Sequence, residues 1–129
     1  MKYSELIDLA KDARKRAYAP YSEFLVGAAL LCGDGSVYVG CNVENASFTP
    51  TCCAERVAIF SAVADGKRDF SAIAVVGGKR GEEADGRCMP CGVCRQVMSE
   101  FSDGSLDVVF ADGDVIKLSQ LLPYAFDLK

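Results

Sequence analysis

Cys53-Ala54-Glu55-Arg56, matched further along by Pro90-Cys91-Gly92-Val93-Cys94, carries both the architecture and the chemistry of this chain. The first stretch opens an apolar run with helical spacing at Val57, Phe60, Ser61 and Ala64, and Gly66 follows as a C-cap. The second opens another helical pattern over residues 92–101. Each places a cysteine at a helix start, where unpaired N–H groups and the positive end of the dipole lower a thiol's pKa. A Cys-x-x-Cys pair and one distant thiol supply three zinc ligands, Cys53, Cys91 and Cys94, and leave the fourth tetrahedral position open. Open positions belong to catalytic zinc sites, closed ones to structural sites. Glu55 stands two residues after a ligand, within reach of the open position without binding the metal.

Outward from these two stretches the pattern alternates. Residues 72–76 form a short continuous apolar run, as expected of a strand buried on both faces. Upstream, residues 24–31 and 37–43 are β-rich and joined by Gly33-Asp34-Gly35-Ser36, a hairpin signal. Residues 4–17 read as a helix with Ser4 as N-cap and Leu6, Ile7, Ala10, Ala13 and Ala17 on one face, ended by Pro20. Downstream, residues 77–90 are polar and glycine-rich, a loop. Residues 106–110 and 114–118 are strands around an Asp112-Gly113 turn, and residues 119–122 a short helix. Strands alternating with helices predict an α/β fold, a three-layer α/β/α sandwich with a mixed five-stranded sheet, in one domain over residues 1–129. Gly27, inside a strand, marks a bulge or a close backbone approach.

Composition narrows the function. Seven cysteines without an apolar leader point to reduced thiols and metal in the cytoplasm, and an odd count cannot pair fully within one chain. No histidine is present, which excludes histidine general-base chemistry and leaves cysteine and carboxylate as metal ligands. The formal net charge of −4 argues against a nucleic acid backbone as partner, since such binding needs clustered Lys and Arg. The basic residues between Lys11 and Arg16 are interleaved with Asp12 and alanine, as on a solvated helix face. No apolar run approaches the ~20 residues of a membrane span.

Four ordered blocks extend the pattern: Tyr18-Ala19-Pro20-Tyr21-Ser22-x-Phe24-x-Val26-Gly27-Ala28-Ala29-Leu30, Asn42-Val43-Glu44-Asn45, Cys53-Ala54-Glu55-Arg56 and Pro90-Cys91-Gly92-x-Cys94-Arg95-Gln96. Together they resemble the small, homotetrameric class of cytidine deaminase over nearly the whole chain. The resemblance implies one Zn²⁺ per chain on Cys53, Cys91 and Cys94, with Glu55 as the proton carrier. It implies hydrolytic deamination of cytidine and deoxycytidine in pyrimidine salvage. Arg56 then offsets the excess charge of three thiolates. Phe24, Asn42, Glu44 and Ala54 line the nucleoside site, Asn42 and Glu44 at the ribose 3′-hydroxyl. Phe126 reaches a neighbouring subunit's base, so sites lie at subunit interfaces.

Alternatives stand beside this reading. Asn42 also suits a turn, Phe24 the core, and Phe126 an anchor for the tail. Cys88-Met89-Pro90-Cys91 is itself a Cys-x-x-Cys, so Cys88 or Cys52 closing a four-cysteine structural site would make the protein a binding module. Another aminopyrimidine nucleoside or analogue is the rival substrate. Two departures from the resemblance are the long 77–90 segment and Phe48, where the family often has tyrosine.

Overall fold

The computed structural model describes residues 1–129. Along the chain run α1 (Tyr3–Arg14), β1 (Phe24–Cys32), β2 (Val37–Cys41), α2 (Ala54–Ala64), β3 (Phe70–Lys79), α3 (Gly92–Glu100), β4 (Asp107–Phe110), β5 (Val115–Lys117) and α4 (Leu118–Leu121). The strands form one sheet in the order β2-β1-β3-β4-β5. Only β3 and β4 are parallel, and the crossover such a pair needs is α3. The expected mixed five-stranded sheet is therefore present.

Alternation along the strands sorts side chains to two faces. Ala29, Ala72, Ala74, Val76 and Val109 pack with Leu6, Ile7 and Ala10 of α1. On the other face, Leu30, Ile73, Val75 and Phe110 meet Ala58 and Ile59 of α2 and Met98 of α3. Helices thus cover both faces, giving the three layers. Glycine sets how closely they approach. A Cβ at Gly27 would lie 2.0 Å from the Ala10 carbonyl oxygen, so α1 crosses β1 directly over this residue. A Cβ at Gly40 would lie 2.5 Å from the Ala54 carbonyl, which brings the start of α2 down onto β2.

Several sequence expectations shift. Ser4 is inside α1; the N-cap is Lys2, extended and without a side-chain cap. Residues 15–17 leave the α-helix because their N–H groups turn to Asp12, Ala13 and Arg14, the tighter i to i−3 pattern of a closing turn. Strand β2 stops at Cys41, since the Asn42 side chain takes over the bonding to β1. Strand β3 outruns residues 72–76 at both ends, because Gly77, Gly78 and Lys79 pair with Val26, Leu25 and Phe24. The loop begins only after Lys79. Helix α2 turns the opposite face to the sheet from the one its spacing pointed to. Ala54, Glu55, Ala58, Ile59 and Ala62 are buried, whereas Phe60 is 49% exposed and Ser61 and Ala64 face outward. Gly66 does end this helix, at φ 89°: its N–H reaches Val63 O and the Lys67 N–H reaches Ala62 O.

Candidate active site

Cys53 immediately precedes α2 and Cys91 immediately precedes α3, so the two helix starts bring the thiols together. The Sγ atoms of Cys53, Cys91 and Cys94 lie within 4.8 Å of one another, and those of Cys53 and Cys91 are 3.8 Å apart. Tetrahedral zinc–sulfur bonds of ~2.3 Å place two sulfurs about 3.8 Å apart, so the spacing fits zinc. The Cys94 N–H donates to Cys91 Sγ at 3.4 Å, a backbone cap on the thiol. Cys53 has no such cap; Arg56 Nη2 donates to its Sγ at 3.4 Å instead. Only one of the two expected helix-start donations is therefore made, and a side-chain cation serves the other thiol.

The charge pattern follows from these contacts. The hydrogen bond from Cys94, with those of Arg56 and Cys91, holds Cys53 down at about 5 against the effect of burial. The Cys53 bond, with burial, pushes the Cys94 thiol up. Arg56 is held further protonated by its bond to Cys53, and its Nε is buried with no partner in the chain. Glu55 is the only buried charged residue, 4% exposed. Burial pushes its carboxyl up to about 7, with the Cys53 charge adding and Arg56 opposing.

Glu55, Cys53 and Cys91 open into a cavity of about 310 Å³ that Phe24, Asn42, Glu44 and Ala54 also line. The volume lies in the small-molecule range. Asn42 and Glu44 also organise the rim. Asn42 Oδ1 accepts the Val26 N–H and its Nδ2 donates to Phe24 O, both at 2.9 Å. Glu44 Oε1 accepts the N–H groups of Tyr21 (3.0 Å) and Ser22 (3.1 Å), and Oε2 accepts the Ser22 hydroxyl. Each keeps spare bonding capacity. Phe126 does not line this cavity; it is 66% exposed and its carbonyl accepts from Gln96 Nε2 at 3.1 Å.

Cys88, Met89, Val26 and Thr51 line the cavity as well, unforeseen as a group. The only advance signal was the position of Cys88 beside the ligand pair. Cys52 also borders the cavity, but neither Cys52 nor Cys88 joins the converging thiols, which speaks against a closed four-cysteine site. Phe48 sits at φ 59° and is 75% exposed, so a phenol there would find its partners outside this chain. No helix is long and apolar enough to cross a membrane.

The family model for the cytidine and deoxycytidylate deaminase zinc-binding region matches residues 1–111. The chain belongs to this family. The cytidine deaminase of Sporosarcina psychrophila is 48% identical over 130 aligned residues, covering 98% of this chain and 92% of that one. That of Halalkalibacterium halodurans is 50% identical over 125 residues, 94% of this chain and 91% of its own. The crystal structure of cytidine deaminase from Burkholderia pseudomallei superposes with a TM-score of 0.87 at 52% identity, covering 98% of this chain and all of that one (100%). The family is a zinc-binding one, and the spacing and donor set of Cys53, Cys91 and Cys94 fit that metal.

Proposed function

We propose that the protein hydrolyses cytidine and deoxycytidine to uridine or deoxyuridine and ammonia, in cytoplasmic pyrimidine salvage. The observation that carries this reading is one buried carboxylate, Glu55, opening into the same cavity as the converging thiols. Zinc held by Cys53, Cys91 and Cys94 supplies the Lewis acidity that makes water nucleophilic near neutral pH. Glu55 takes a proton from the attacking water and delivers it to N3 of cytosine. It then takes the second proton from the hydroxyl newly bonded to C4 and passes it to the amine as the C4–N bond breaks. A carboxyl buried at the cavity wall suits a group that is first base and then acid. Arg56 offsets part of the thiolate charge through Cys53.

The sugar lies toward Asn42 and Glu44, and Phe24 and Ala54 border the base. A Glu44 carboxylate at the rim disfavours a 5′-phosphate by charge. The chain works as one domain over residues 1–129, as its single sheet supports. Four chains assemble, and Phe126 covers a neighbour's base. Support for assembly comes from the outward apolar surface of Phe48, Phe60, Val93, Tyr124 and Phe126. The test is ammonia release from cytidine, deoxycytidine, cytosine, CMP and adenosine. Release from the two cytosine nucleosides well above the others is expected. None from cytidine with zinc-loaded protein would overturn the assignment.

A further inference from the structure

Cys88 and Met89, near the end of the 80–90 segment, form part of the cavity wall. Arg87 is pinned by ion pairs to Asp112 and Asp114, and its guanidinium lies 5.7 Å over the Phe110 ring. Pro90 O accepts from Arg95 Nε at 2.8 Å. Cys88 and Met89 are therefore held between two anchors. Gly77 shows how tightly Cys88 is seated. A Cβ there would lie 2.7 Å from Cys88 Sγ, 3.0 Å from Phe24 Cε1 and 3.2 Å from Val26 Cγ2. Phe24, Val26 and the Cys88 thiol thus converge on one glycine and make a continuous apolar wall.

A cytosine ring has one polar edge, carrying O2, N3 and the amine, and one edge of bare C–H at C5 and C6. The polar edge needs Glu55 and backbone donors, because an unpaired buried polar group is costly. The C–H edge then faces the apolar wall. C4 must lie at the metal end and N1 at the sugar end, so C5, the neighbour of C4, lies nearer the metal. Cys88 belongs to that end: it stands three residues before Cys91 and lines the cavity together with Cys53, Glu55 and Cys91.

We infer that Cys88 is a specificity-determining residue whose sulfur fills the space beside C5, and so sets how large a substituent on that carbon the enzyme admits. The inference rests on the proposed deaminase activity. Sulfur is close in size to a methyl group, so Cys88→Ala opens room for one methyl, and Cys88→Val closes it further. The test measures kcat/KM for 5-methylcytidine and cytidine in the parent and both variants, each checked for zinc content.

The 5-methylcytidine to cytidine ratio should rise about tenfold or more in Cys88→Ala, the lower range for one methylene-sized change in an apolar pocket. It should fall in Cys88→Val. Calorimetric binding of 5-methyluridine against uridine should move the same way, and it needs no turnover. A cysteine serving only the fold would change both substrates alike and leave the ratio unmoved, which would overturn the inference, as would the reverse order of the two variants. If Cys88→Ala does not fold, an unchanged ratio in Cys88→Val refutes it equally. Failure of the activity assignment is distinct: the parent would then release no ammonia from cytidine.

Discussion

Gly27→Ala should be among the most damaging single-methyl changes in this protein. The new Cβ would lie 2.0 Å from Ala10 O, 2.5 Å from Arg14 N and 2.9 Å from Arg14 Cα. All three are helix backbone atoms, so no rotamer change relieves the overlap. With a normal carbon–oxygen contact near ~3.2 Å, α1 must lift by about 1 Å, and a gap of that size forfeits up to about half of each contact's dispersion energy. The loss falls on Leu6, Ile7 and Ala10 against the sheet. It also strains Arg14, which donates to Leu25 O (3.0 Å), Gly78 O (2.8 Å) and Lys79 O (3.0 Å). Ordinary overpacking costs ~1–3 kcal/mol; with backbone on both sides we expect about 4 kcal/mol or more. In a chain of this length that lowers Tm by roughly 15 °C. Urea and thermal unfolding would measure it, with Gly86→Ala as control, since a Cβ at Gly86 meets nothing within 4 Å. A Gly27→Ala protein within about 1 kcal/mol of the parent would refute the close-approach argument.

Glu55→Gln should keep zinc and fold while losing activity by ~10²–10⁴-fold or more, because Gln cannot carry the proton; near-normal ammonia release would remove Glu55 from the chemistry. Arg56→Gln should retain zinc but turn over more slowly, by on the order of a few kcal/mol in barrier at most, as seen in kcat with metal content measured alongside. Tyr3 donates to Asp107 Oδ2 at 2.6 Å, and burial, then this bond and the Asp107 charge, raise its pKa from 10.0 to about 12. The stabilisation is complete below pH ~10 and is lost as pH rises through ~12, so the parent's advantage over Tyr3→Phe in unfolding should vanish across that window. Truncation before Tyr124 should weaken cytidine binding by about tenfold, the value of one base–aromatic stack, with zinc unchanged. Unaltered binding, or full activity in a dilute monomer, would show that each chain completes its own site.

The chemistry was legible in the sequence because it is local. A thiol directly before a helix, and a glutamate two residues on, keep their relation wherever the helix packs, so Cys53 and Glu55 were legible from spacing. Cys91 and Cys94 were preferred over the Cys88–Cys91 register by the resemblance of their flanking residues. The alternation of strands and helices likewise predicted the layers. Packing decided what spacing left degenerate. Helix α2 carries apolar residues on both sides, and the sheet takes its alanine face because Gly40 lets that backbone come close, which leaves Phe60 pointing away while Val57 packs over Gly40. Asn42 and Glu44 were picked out only by the resemblance of the Asn42–Asn45 block, and their bonds to Val26, Phe24 and Ser22 exist only once distant segments meet. Cys88 and Cys91 share the same spacing as Cys91 and Cys94. Only the tertiary structure sends Cys88 to Gly77 and Cys94 to the metal, because a helix start orders the second pair and a loop anchored by Arg87 places the first.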